Sequence, residues 1–344
     1  MKFKRYNSIE NSYREKIIQQ IINHGYNHPA YQWIATNKIH GANFSFWCDG
    51  KELKCAKRSS FIGATTNFNN WEILYDSHKE NIFNMFKHLE NYFRVNREIP
   101  VEHITIYGEI FGGYYNHPDV PPCPGATRVQ RGISYCPHND FAAFDIAVND
   151  ILVDQDMMFN LCETHGIPTV EIMHRGTFDE CYNLDPKFED PTYKRYDLPK
   201  IENNIAEGFV IRPVMPLHFH NGSTVVLKSK NEIFSEKSKE KKKVKDMTLT
   251  EEQQEVLGGL MQYMNENRLH AVLSKIGPIT NKDFGKVLGL FVQDLLEDYN
   301  KDDGVLENLE MADQKKIRKT LNSHVTEFIR PIFVDKVLEG KYNG

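Results

Sequence analysis

Lys228 and Lys230 sit two residues apart in VLKSK, a segment with the apolar character of a strand. Side chains two apart on a strand share a face. Two ammonium groups on one face repel unless an anion lies between them. Phosphate is the natural anion, as charge complement and as a group whose reaction two cations would stabilise. A solvated edge strand is the plainer alternative. Glu109 in YGEIFGG and Glu207 in AEGFVIRP each stand beside glycine at a strand end. Two carboxylates near phosphate-binding lysines suit Mg²⁺, which is often held by one or two carboxylates plus substrate phosphate. They equally suit salt bridges to those lysines, and both readings can hold together. Lys38 opens the segment KIHG. A lysine amine has an unperturbed pKa of about 10.4 and is inert while protonated. A nucleophilic role needs nearby positive charge or desolvation, and Lys228, Lys230 and a metal would supply the charge. Arg58 ends AKR, and a guanidinium grips phosphate as a fork. Taken alone, His40 reads as a structural imidazole.

These residues lie on predicted strands or strand ends. YQWIATNKIHGANFSFWCDGKELKCAKR reads as two or three strands with a turn at Asp49-Gly50. VEHITIYGEIFGG is another, and DFAAFDIAVND hairpins with ILVD. AEGFVIRP and GSTVVLKSK are separated by an Asn221-Gly222 turn. A helix is expected over roughly residues 10–24. Strands outnumber helices and lack regular crossover helices between them, which argues for an antiparallel α+β fold over a doubly wound one. The character changes at SEKSKEKKKVKD. Beyond it, residues 249–340 carry apolar residues at three- and four-residue spacing, the mark of helices. Thr250 is the expected cap of the first of them. The expected domains are 1–240 and a small, all-helical 241–344. The Lys237–Lys245 run reads as evenly as a solvated linker as it does as an RNA contact.

The composition limits the alternatives. With 42 basic and 47 acidic residues the chain is net acidic, so nucleic-acid binding needs a local basic surface. No apolar run can span a bilayer, and no signal peptide is visible. The expectation is a cytoplasmic protein without a membrane partner, in a host cytoplasm if it is viral. Six cysteines without a CxxC pair read as buried reduced thiols, not a zinc site.

In order, KIHG, AKR, YGEIFGG, FDI, EGFVIRP and VLKSK resemble the nucleotidyltransferase superfamily of polynucleotide ligases and RNA-capping enzymes. KIHGANF, the VQRGISY-to-FAAFDI stretch, KSKNEIFSEK and SKIGPITNKDFGKVLGLFVQDLLED resemble more closely the RNA ligase 2 family, the nick-sealing type of T-even bacteriophages, to which trypanosome RNA-editing ligases are similar. The resemblance is weakest at about residues 61–100 and 171–204. It implies an antiparallel-rich nucleotidyltransferase domain before the helical one. It also implies an ATP-dependent RNA ligase of RNA repair, monomeric, using ATP and Mg²⁺, with Mn²⁺ as a substitute, on nicked duplex RNA. Lys38 would carry AMP, with Lys228, Lys230, Glu207 and His40 in catalysis. Asn37, Ile39, Asn43, Arg58, Glu109 and Phe144 would join Glu207 and the two lysines around the nucleotide. Phe144 would stack on adenine, and Glu109 would also reach the ribose. Arg58, Arg212, Arg268, Asp294 and Asp298 would serve RNA binding and sealing.

Three positions depart from the family pattern. Asn37 stands where glutamate reads the adenine amino group, so an uncharged oxygen must do that work. Arg212 replaces lysine, and Asp298 replaces glutamate. A DNA ligase or capping guanylyltransferase would carry an OB-fold where this chain reads as helices. A non-catalytic RNA-binding scaffold is the rival of another class, and the intact lysines and Glu207 oppose it.

Overall fold

The computed structural model describes residues 1–238, 244, 246, 248–302 and 304–342, with side chains to residue 337. Most of the Lys237–Lys245 run therefore lies outside the described residues. The chain divides into two compact units, Met1–Ile233 and Phe234–Gly344. The division precedes the lysine-rich stretch because residues 235–238 bond within the second unit. Ser235 O accepts from Asn267 Nδ2 at 2.9 Å, and Ser238 N donates to Gln262 O at 2.9 Å.

In chain order the first unit contains β1 (Glu10–Asn11), α1 (Glu15–Asn23), β2 (Trp33–Asn37), β3 (Ala42–Cys48), β4 (Leu53–Lys57), β5 (Ser60–Phe61), α2 (Trp71–Arg97), β6 (Ile104–Gly112), β7 (Asn139–Val148), β8 (Ile151–Leu152), α3 (Gln155–Thr164), β9 (Ile172–Gly176), α4 (Phe178–Tyr182), β10 (Gly208–Pro213) and β11 (Leu227–Lys230). One sheet has the order β1-β11-β10-β2-β9, the other β5-β4-β3-β6-β7-β8. Between these strands, all pairings are antiparallel except β1 with β11. The helix expected over 10–24 starts late, at Glu15, because Glu10 and Asn11 pair with Leu227 and Lys228 instead.

Alternation along β3 sends Phe44, Phe46 and Cys48 into the main core. Asn43, Ser45 and Trp47 occupy the other face. The core is closed by α2, for which the sequence pattern predicts no element. Leu74, Ile82, Met85, Phe86 and Leu89 line its buried side. Burying each such side chain contributes roughly 1.5–3 kcal/mol.

The second unit is helical: α5 (Glu251–Met261), α6 (Glu266–Ile276), α7 (Phe284–Asp302) and α8 (Met311–Tyr342). Thr250 caps α5 in a reciprocal box with Gln253. The apolar pattern runs on past Met261, but the chain breaks there. Asn265 caps a new helix, accepting from Arg268 N at 3.0 Å. Among the described residues no helix is long and apolar enough to cross a membrane.

Candidate active site

KIHG is the crossing between the two sheets: β2 ends at Asn37 and β3 begins at Ala42. Three bonds pin the crossing. Lys38 N donates to Gly208 O at 2.9 Å, His40 N donates to the buried Tyr135 hydroxyl at 2.7 Å, and Gln130 Nε2 donates to Gly41 O at 3.2 Å. Gly41 is there for space. A Cβ on it would lie 2.2 Å from Ile110 O and 2.8 Å from Glu109 Cγ. Backbone oxygen cannot swing aside, so Gly41→Ala is expected to cost about 1–3 kcal/mol of stability. Chemical denaturation checks this; an unchanged midpoint would contradict it.

Glu207 is the hub. Its Oε2 accepts from Lys38 Nζ at 2.8 Å and lies 3.2 Å from His40 Nδ1, and its Oε1 lies 3.0 Å from Lys230 Nζ. Glu207 is 2% exposed. Burial alone would raise its pKa, but Lys38 and Lys230 outweigh burial and hold it well below the usual carboxylate range. Gly208 makes the hub possible. Its φ is +137°, and a Cβ there would stand 2.0 Å from Ser229 O. This close approach of β10 to β11 pairs Gly208 with Lys230, beside Glu207.

The second sheet brings its own residues. Asn43 pairs with Glu109 across β3 and β6, and Arg58 follows β4, with Nη2 donating to Ser8 Oγ at 3.3 Å. Burial pushes Glu109 up to about 7, with Lys38 and Arg58 lowering it and Glu207 raising it. Lys228 lies on β11 opposite Val210, half-buried. Ile39 is buried. Lys38, His40, Glu109, Glu207 and Lys230 thus come together, as their segments predict.

Two residues expected to contact RNA, Arg212 and Arg268, are buried in ion pairs, and Phe144, expected on adenine, packs with aromatic residues on the site face of the second sheet. Arg212 is buried, with Nη1 donating to Asp145 at 2.7 Å and to Phe144 O at 3.3 Å. Its charge is spent tying β10 to β7, so it is not an RNA-contacting residue in this fold. Phe144 is half-buried in an aromatic cluster with Tyr107 and Trp47, its ring 5.2 Å from Tyr6, which covers one edge. Arg268 is wholly buried in the second unit. It donates to Asp294 at 2.6 Å, Asp298 at 2.8 Å and Tyr263 O at 2.9 Å, and so orients two partly exposed carboxylates instead of meeting RNA itself. Glu236, Asp294 and Asp298 form the one group of three possible metal ligands among the described residues. The Arg268 guanidinium already ion-pairs with all three.

Comparison with known proteins follows the same division. A sequence model of RNA ligases matches residues 31–230. The chain belongs to the RNA ligase family. Residues 247–327 match the C-terminal region of T4 RNA ligase 2, which places the chain with the RNA ligase 2 type. Mitochondrial RNA-editing ligase 1 of Trypanosoma brucei brucei is 27% identical, over 83% of this chain and 74% of that protein. RNA-editing ligase 2 of the same organism is 27% identical, over 87% and 83%. Solved structures of a Naegleria gruberi RNA ligase, one mutant without ligand and another with AMP and manganese, are 12% and 13% identical, with TM-scores of 0.45 and 0.42. Each match covers 67% of this chain and 57% of the solved one, so the chain spans little more than half their length. By family, this RNA ligase is an enzyme of the ATP-dependent class.

Sequence reading missed two site residues of this RNA ligase. Tyr135 holds the KIHG crossing, and only its place in VQRGISY hinted at it. Asp190 is buried and accepts from Asn37 Nδ2 at 2.8 Å. No motif surrounds it.

Proposed function

We propose that the first unit transfers AMP from ATP to Lys38 and that the whole chain seals 3′-hydroxyl/5′-phosphate nicks in duplex RNA. The observation that carries this reading is the Glu207 hub, which holds a lysine at a crossing of two sheets beside a second lysine and an imidazole. In the first step Lys38 Nζ, once deprotonated, bonds to the α-phosphorus of ATP, and the bond to pyrophosphate breaks. AMP then passes to the 5′-phosphate of the RNA, with return of the lysine. Finally the 3′-hydroxyl attacks that activated phosphate and AMP leaves. Glu207 is held too acidic to act as the base, so it positions Lys38, Lys230 and His40. Lys228, Lys230 and Arg58 offset phosphate charge, and little else is asked of the protein but placement. Asp294 and Asp298, oriented by Arg268, serve the later steps from the second unit. The chain acts as a monomer in this reading.

The donor set fits Mg²⁺ or Mn²⁺. Both Glu207 oxygens already meet cations, whereas Glu109 is a partly buried carboxylate whose pKa desolvation raises although Lys38 and Arg58 lower it. Glu109 would hold the ion, with Asn43 on its waters and Glu207 nearby, and the ion would neutralise charge on the transferring phosphate. Glu109→Gln should raise the Mg²⁺ needed for half-maximal adduct formation by roughly 10–100-fold. A Mg²⁺ titration reads this, and an unmoved midpoint would remove Glu109 from the metal site.

The test of the first step is intact mass after incubation with ATP and Mg²⁺, where the protein should gain one AMP. The substrate is tested by comparing nicked duplexes with the same strands lacking a template. A template removes much of the entropic cost of bringing two ends together, so nicks should join at least about tenfold faster. A-form helices expose 2′-hydroxyls in a shallow minor groove, so ribose on the 3′-hydroxyl side should matter more than on the 5′-phosphate side. Faster joining of untemplated strands would end the nick-sealing reading. Indifference to ribose on the 3′-hydroxyl side would point to a DNA ligase.

A further inference from the structure

Asn37, one residue before the proposed nucleophile, is 1% exposed, and its side chain is satisfied on one side only. The nitrogen Nδ2 donates to Asp190 Oδ2 at 2.8 Å and lies 3.5 Å from Thr192 Oγ1. The oxygen Oδ1 is buried with no hydrogen-bond partner. A buried acceptor left unpaired is costly, and native structures rarely keep one without a reason. An amide is also ambiguous: turned by half a rotation about its last bond, it exchanges donor for acceptor. Asp190 removes the ambiguity. A carboxylate only accepts, so it must face the NH₂ of Asn37 and leaves the oxygen as the free side. Asp190 is itself fixed, since its Oδ1 accepts from Thr192 N at 2.9 Å and its backbone N donates to Asn204 O at 2.9 Å.

We propose that Asp190 is the positioning residue for nucleobase choice, locking the Asn37 amide so that its oxygen is presented to the amino group of a 6-aminopurine. This rests on the proposal that Lys38 is the adenylylated residue. Adenine offers a donor at position 6 and pairs with the oxygen. Guanine offers an acceptor there and would set two oxygens face to face. A site built to meet a donor rejects the analogue that lacks it, because its own buried group then stays unpaired. The pair Asn37–Asp190 thereby supplies adenine selection with the charge kept one residue back from the base.

The experiment measures the rate of nucleotidyl–enzyme formation by the full chain with ATP, GTP and purine riboside triphosphate, which lacks the 6-amino group. The unaltered protein should use ATP at least about tenfold faster than either analogue; equal rates with purine riboside triphosphate would overturn the role of the Asn37 oxygen. In Asp190→Asn the new amide can donate to Asn37, which frees that side chain to turn, and the ATP-to-GTP ratio should fall at least about tenfold. An unchanged ratio in this variant, folded by its melting curve, would overturn the proposal. The exchange Asn37→Asp with Asp190→Asn keeps the hydrogen bond with its partners reversed and presents only oxygen to the base. It should regain the ATP preference, and persistent use of GTP would count against the proposal even where the single variant does not fold. If the unaltered protein forms no adduct with any of the three, the Lys38 reading itself has failed.

Discussion

Lys38→Ala should abolish covalent AMP attachment, lowering the adduct rate by on the order of 10³-fold or more, since the proposed phosphoramidate bond forms on its Nζ. The fold should survive. Lys38 is partly exposed, and its backbone bond to Gly208 does not depend on the side chain. Glu207 would lose one cation but keep Lys230 at 3.0 Å. The direct measurement is intact mass after incubation with ATP and Mg²⁺, paired with a thermal melt. A folded Lys38→Ala protein that still gains one AMP would remove the central claim. A protein that seals RNA bearing a preformed 5′-adenylate while failing to label itself would support it, because the last step does not need the lysine adduct. The variant therefore separates the first step from the last.

Arg268→Met should destabilise the helical unit by about 3–5 kcal/mol, the usual cost of removing one partner from a buried charged cluster. Arg268 has no exposed surface, and its guanidinium bonds Asp294, Asp298 and Tyr263 O. Its removal takes from Glu236, Asp294 and Asp298 the cation they share, while Lys275 stays beside Asp294. Methionine fills much of the volume, so the loss reads chiefly the charge. Denaturation of the full chain should show the second unit unfolding earlier while the first keeps its midpoint. Lys38 labelling should persist, and sealing of nicks should fall. Stability within 1 kcal/mol of the original would show that the cluster does not need its arginine.

Much of the first unit was legible because its signals are local. The Asp49-Gly50 turn joins β3 to β4 as its residues demand, and alternation along β3 separates core from site. Lys38, Glu207 and Lys230 could be grouped because each stands on a strand pattern with a glycine or a second lysine for punctuation. What failed to show was burial and long-range pairing. Arg212 and Arg268 carry charge, and charge reads as surface unless the partner is known; their partners lie 67 and 26 residues away. Asp190 lies 153 residues from Asn37 and has no patterned neighbours. The long α2 went unread although its buried positions recur every three or four residues, because His78 interrupts the apolar row.

The pairing of β1 with β11 reaches beyond geometry into the order of events during synthesis. Asn7 Nδ2 meets Thr224 Oγ1 at 3.1 Å across 217 residues of chain, and Glu10 N meets Val226 O at 3.1 Å. Contacts of such separation form late, since a long loop must close before they give any return. Lys228 and Lys230 ride on that closing strand. On the ribosome, where earlier segments emerge first, the nascent protein holds Lys38 for most of its translation without the cations that complete its surroundings. In the proposed function the nucleotide site is thus the last part of its unit to mature, and a chain that stops short of Lys230 lacks the cations that site needs.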